Sequence, residues 1–158
     1  MKLITPPDNV RDASLLNAWR LLYWIGFAFV VMGGTDITLA WYPAPFGNPE
    51  WEFGAISATL NGLALPTLGF YLLLCSAVAR REHVAARVVA TVMVVIVAGL
   101  LSLALIYGNV APLALNSVAD NRDVSAGMKK AILKATMLMI VYIALFVAGG
   151  IQGWRSRE

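Results

Sequence analysis

The chain has 158 residues, of which 59% are hydrophobic and 13% charged, and its mean hydropathy is +0.73. Soluble domains carry about 25% charged residues, so the composition excludes an ordinary water-solvated globule and predicts one membrane domain over residues 1–158. The formal charge of +3 gathers beside apolar stretches, where anionic headgroups attract it; lipid is the implied partner and nucleic acid is not.

The N-terminal segment MKLITPPDNVRDASLLNAWR has adjacent prolines and lacks the apolar core and small-residue cleavage site of a secretory signal, so it is expected to be retained. Four apolar stretches follow, at 21–41, 53–79, 88–107 and 135–151, each close to the roughly 20 residues a helix needs to cross hydrocarbon. Trp19 and Arg20 mark the start of the first, and Trp41 and Tyr42 its end, as expected for side chains that settle at headgroup level. In the connection that follows, Pro43, Pro45 and Pro49 cannot continue a helix, while Phe46 and Trp51 suit the interface; a compact, stiff hairpin is predicted. The fold class is all-α, an integral membrane, antiparallel four-transmembrane-helix bundle.

The second stretch sorts its residues by size. Gly54, Ser57, Ala58, Asn61, Gly62 and Pro66 share one helical side, with Phe53, Ile56, Leu60 and Leu63 opposite. In lipid, helices associate through close backbone approach and interhelical hydrogen bonds, so the small face is predicted to be the packing face and the large one to meet lipid or another subunit. Pro66 should kink the helix and free a carbonyl near Asn61 or Gly62. Asn61 then serves either as an interhelical clasp or as a ligand group in a small cavity. Further small-residue pairs are Gly26 with Gly33, Ala98 with Ser102, Ala144 with Ala148, and Gly149 with Gly153, the last a candidate motif for a homo-oligomer.

Eight basic residues (Lys2, Arg11, Arg20, Arg80, Arg81, Arg87, Arg155, Arg157) fall on the side of the termini and four (Arg122, Lys129, Lys130, Lys134) on the other. The positive-inside rule therefore places both termini in the cytoplasm, in a bacterial inner membrane. Asp36 is the acid within a span, and Lys130 and Lys134 lie on the same outer side; either they pair across the bundle or each reaches water and phosphate alone. Residues 108–128 form the longest expected loop, a tether or a recognition surface. Pro112, Leu113, Leu115 and Val118 would lie along the interface, and Asp120 or Asp123 would cap the last helix.

Little in the chain resembles a reaction centre. Cys75 is the single cysteine, inside the second span, and reads as a small buried apolar residue. His83 is the single imidazole, in a cytoplasmic turn, where a solvated side chain is the ordinary reading and an axial haem or pigment ligand the alternative. One His and one Cys complete neither a zinc nor an iron–sulfur site, and His83 has no deep acid with which to build a triad, so no catalytic residue, metal or cofactor is expected.

Pro49-Glu-Trp51, followed by Asn61 and then Pro66-Thr-Leu-Gly69, resembles the first half of the four-helix membrane proteins of hormogonium polysaccharide biosynthesis. That resemblance implies an accessory membrane role without a reaction. The leading expectation is a noncatalytic accessory subunit packing laterally against other integral membrane subunits of a respiratory, photosynthetic or polysaccharide-export complex. The alternatives are a small oligomeric transporter or channel with its site at Ser57, Asn61 and Pro66, and a haem or pigment binder through His83.

Overall fold

A computed structural model describes residues 8–43, 46–119 and 122–155, without the side chains of 8–14 and 122. Lys2, Pro45, Asp120 and Arg157 lie outside the described residues. Those described form five helices and no strand: α1 (Asp8–Ala40), α2 (Pro49–Gly62), α3 (Ala64–Ala79), α4 (His83–Ser117) and α5 (Arg122–Arg155). Four stretches are long and apolar enough to cross a membrane: Leu15–Ala40, Pro49–Ala79, His83–Ser117 and Asp123–Arg155.

The stretch made of α2 and α3 is the centre. Half of its most apolar window is buried, against 6% for α1. Its break falls at Leu63, because Pro66 has no N–H to give the Gly62 carbonyl and its ring would crowd that oxygen. The bonds on either side, Leu63 N–H to the Thr59 carbonyl and Thr67 N–H to the Leu63 carbonyl, hold at 3.0 Å. The expected kink is therefore present, confined to one residue.

The packing face of α2 is the reverse of the sequence expectation. Phe53, Ile56, Leu60 and Leu63 are buried, Ile56 and Leu60 completely, whereas Gly54, Ala58 and Asn61 are exposed. A methyl group added at Gly54 would meet nothing within 4 Å. The reason is the number of neighbours: α2 packs against α1, α3, α4 and α5, and the space among several helices needs bulk to fill it. Small residues are used instead where one backbone crosses another.

The first such crossing joins α1 to α3. A Cβ at Gly69 would stand 2.6 Å from the Gly26 carbonyl oxygen and 2.9 Å from the Val30 nitrogen. At Gly33 it would stand 2.2 Å from the Pro66 ring. Near the other end of this seam the Ser76 hydroxyl donates to the Trp19 carbonyl at 2.6 Å. Gly26 and Gly33 thus act as their spacing predicted, with Gly69 and Pro66 as their counterparts.

The second crossing joins α4 to α5, and it runs much further than expected. Residues 108–128 are not a loop: α4 continues to Ser117 and α5 begins at Arg122. Along α4 the buried or half-buried positions Ala86, Ala90, Met93, Val97, Leu100, Ala104, Tyr107, Ala111 and Ala114 keep a strict heptad spacing. Met128, Ile132, Ala135, Met139, Tyr142, Phe146, Gly149 and Gly153 do the same on α5. This continuous stripe carries both helices past the predicted span ends and outweighs the lost hydrogen bond at Pro112, which sits in the last two turns of α4. Leu113 is exposed rather than part of an interfacial loop. Gly149 and Gly153 face Met93 and Ala90 of α4, so this pair is used within the chain, while Ala98, Ser102, Ala144 and Ala148 point outward.

Both ends are closed locally. Asn48 caps α2, its side-chain oxygen accepting from the N–H groups of Glu50 and Trp51 at 3.1 and 3.3 Å. Ser117 donates to Glu50 at 3.0 Å, tying the start of α2 to the end of α4. At the opposite end, α3 stops in a Schellman arrangement, with Glu82 N–H on the Ala77 carbonyl, Arg81 N–H on the Val78 carbonyl and Arg81 at φ 56°. Arg80 pairs with Glu82 and lies over the Tyr23 ring at 5.8 Å.

These two kinds of crossing should respond differently to a single added methyl. Gly69→Ala drives a Cβ into backbone atoms of α1 and is expected to cost about 1–3 kcal/mol. Gly149→Ala crowds only the terminal methyl and sulfur of Met93, a flexible side chain that can swing aside, with Tyr71 in ordinary contact, and should cost clearly less. Thermal unfolding in mild detergent reads the order, and equal losses would contradict it.

Candidate functional site

The described residues contain no group of three or more His, Cys, Asp or Glu placed to share a metal ion. The feature that stands out is a groove left by the helix arrangement. Because α1 packs against α2 and α3 only, it stands away from α4. Between them lies an apolar groove of about 350 Å³, with Val30, Gly34 and Ile37 on the α1 side, Ile96, Gly99 and Leu103 on the α4 side, and Leu63 and Pro66 at its floor.

The kink positions that floor, and the aromatic end of the hairpin fixes its rim. Trp41 Nε1–H donates to Thr59 Oγ1 at 2.8 Å, and Thr59 in turn donates to the Ala55 carbonyl at 2.9 Å. The one hydroxyl that borders the groove is therefore occupied, and the groove offers an apolar surface. Trp41, Phe46 and Trp51 cluster around this bond, the Trp51 ring lying 5.7 Å from each of the other two. Gly34 and Gly99 are unlike the seam glycines, since a Cβ at either would meet nothing within 4 Å. They are open backbone facing an open groove.

The residues that sequence reasoning grouped into a transport site are not brought together. Ser57 turns toward α4, where its hydroxyl and that of Tyr107 lie near each other outside hydrogen-bonding geometry. The Phe53 ring stacks on Tyr107 beside them at 5.6 Å. Asn61 is exposed, and its amide donates to the Ser57 carbonyl of its own helix at 2.8 Å, so the side chain clasps no second helix. Pro66 packs against Gly33. Gly62 lies beside α1, where an added Cβ would stand 3.7 Å from Ile37.

Asp36, Lys130 and Lys134 are all exposed, and of the two readings the pair across the bundle is not formed. Asp36 is on α1 and the lysines on α5, and these helices do not pack together. His83 opens α4 as an exposed residue of the turn after Glu82. Cys75, read as buried, is exposed on α3.

Sequence reasoning did not find the groove. Its signal was present only in part: Gly34 and Gly99 lie off the packing stripes of their helices, yet which helices stay apart depends on the order of neighbours, which no local pattern encodes. If Asp36 and Lys134 are as independent as this geometry requires, the effects of Asp36→Asn and Lys134→Gln on stability should add within about 0.5 kcal/mol. A double-mutant cycle in low-salt detergent measures this, and a larger coupling would restore the bridge.

Comparison with protein-family models, curated proteins and solved structures finds no match.

Proposed function

We propose that this chain is a noncatalytic accessory subunit that packs laterally in a larger membrane complex, of respiratory, photosynthetic or polysaccharide-export type. The groove between α1 and α4 carries the reading. Helices in lipid associate where small residues let backbones approach, and here two glycines line an apolar groove with their own chain leaving room beside them. A transmembrane helix of another subunit fits that description. α1 adds to it, exposing Trp24, Phe27, Val31 and Leu39 along its length. The resemblance of residues 49–69 to the hormogonium polysaccharide family agrees with an accessory role.

In this reading the four stretches span a bacterial inner membrane as an antiparallel bundle, with both termini cytoplasmic. The support is the excess of basic residues beside the termini. Cysteines introduced near Arg11 and Asn48 in a Cys75→Ala background test the orientation: in intact cells an impermeant thiol reagent should label the second and spare the first.

The groove itself can be tested without confusing loss of partner with loss of fold. Gly34→Leu and Gly99→Leu add bulk where the chain has open space, so each should change the stability of the isolated protein by less than about 0.5 kcal/mol. Each should also remove the subunit that co-purifies with the unmodified chain in mild detergent. An unchanged set of co-purifying subunits would refute the docking surface. Solute movement by the purified chain alone in liposomes, abolished by Asn61→Leu, would replace this function with a transporter.

A further inference from the structure

A second groove, of about 480 Å³, lies between α3 and α5 at the end that carries the chain termini, and its chemistry is different. Leu74, Cys75 and Val78 of α3 give it an apolar wall, while Gln152 and Arg155 of α5 supply an amide and a guanidinium. Its far end is closed by Tyr71, whose hydroxyl donates across to the Leu145 carbonyl of α5 at 2.7 Å. The groove is thus amphipathic along its length: an aromatic ring at one end, hydrocarbon between, and a cation at the end nearer the termini.

Arg155 is exposed, and among the described residues no carboxylate pairs with it. Arg80 at the same end differs, being held by Glu82 and the Tyr23 ring. A guanidinium presents a planar fork of donors that matches phosphate, and it is most effective where hydrocarbon on one side lowers the local dielectric. We propose that this groove binds an anionic phospholipid of the leaflet on the side of the termini. Its phosphate sits at Arg155 and Gln152, and an acyl chain follows Val78, Cys75 and Leu74 toward Tyr71. The site rests on the bundle spanning a membrane, but not on its being an accessory subunit, because it shares no lining residue with the α1–α4 groove.

Cys75 is the only cysteine of the chain and lines this groove, so it reports occupancy without any engineered label. Alkylation by N-ethylmaleimide is compared in nanodiscs of phosphatidylcholine with and without phosphatidylglycerol. Occupancy scales protection as one plus the ratio of ligand to Kd, so the phosphatidylglycerol discs are expected to slow the reaction roughly fivefold or more. Arg155→Gln should reduce that difference to less than about twofold. Arg20→Gln, which removes a cation on the same side but outside the groove, should leave it intact. Glycerophosphate added to phosphatidylcholine discs should have no effect.

Equal rates in the two bilayers overturn the site in the unmodified protein alone, whatever the variants do. A difference that survives Arg155→Gln, or that falls equally with Arg20→Gln, assigns the effect to general surface charge. Protection by glycerophosphate would identify a headgroup site without the acyl chain, which also contradicts the proposal.

Discussion

Backbone contact between helices is the constraint on which this structure turns. Apolar side chains gain no hydrophobic free energy by leaving lipid for protein, so a bundle in a bilayer is held by dispersion across close crossings and by a few hydrogen bonds. The chain provides two such crossings. At α1–α3, Gly26 abuts Gly69 and Gly33 abuts Pro66, and a hydrogen bond from Ser76 to the Trp19 carbonyl secures the line. At α4–α5, a heptad stripe runs for nearly the whole of both helices, with glycines opposite Met93 and Ala90. The bulky α2 face joins the two pairs, Phe53, Ile56 and Leu60 filling the space that neither crossing closes.

This division of labour explains which features were legible in the sequence. Apolar runs of membrane length, the break before Pro66 and the Gly26–Gly33 spacing all depend on nearby residues, and each appears in the fold. The direction of the α2 face depended on how many helices surround it. Small residues mark an interface where two helices meet alone, but not where several converge, and that distinction is invisible along one helix. Whether Asp36 pairs with Lys130 and Lys134 stayed open in the sequence for a related reason. Their shared end of the molecule was legible, and the separation of α1 from α5 was not.

The heptad of α4 and α5 was legible but obscured. Within the spans nearly every residue is apolar, so a stripe of period 3.5 does not stand out against its background. It becomes visible only beyond them, where Val110, Ala111 and Ala114 remain buried among Asn109, Pro112 and Asn116. Reading residues 108–128 as a loop hid the continuation. The one hydrogen bond Pro112 forgoes, to the Gly108 carbonyl, is outweighed by the buried stripe that continues on both sides of it.

The consequence concerns what a neighbour would meet. At about 1.5 Å per residue, α4 and α5 each extend for roughly 50 Å, against about 30 Å of hydrocarbon. The excess lies toward the α4–α5 turn if Arg87 and Trp154 stay at the opposite surface. It is a paired helical arm, with Met128, Ala131 and Ile132 packed against the core and Lys129 and Lys130 outside. A tether would lose conformational entropy on binding, whereas an arm of this kind has its backbone ordered beforehand. Together with the start of α2, fixed to the end of α4 through Glu50 and Ser117, it presents a rigid end at a set distance from the α1–α4 groove. Under the proposed function, a subunit that seated a helix in the groove would meet the arm at the same offset each time, and the two surfaces would act as one bipartite contact rather than as independent patches.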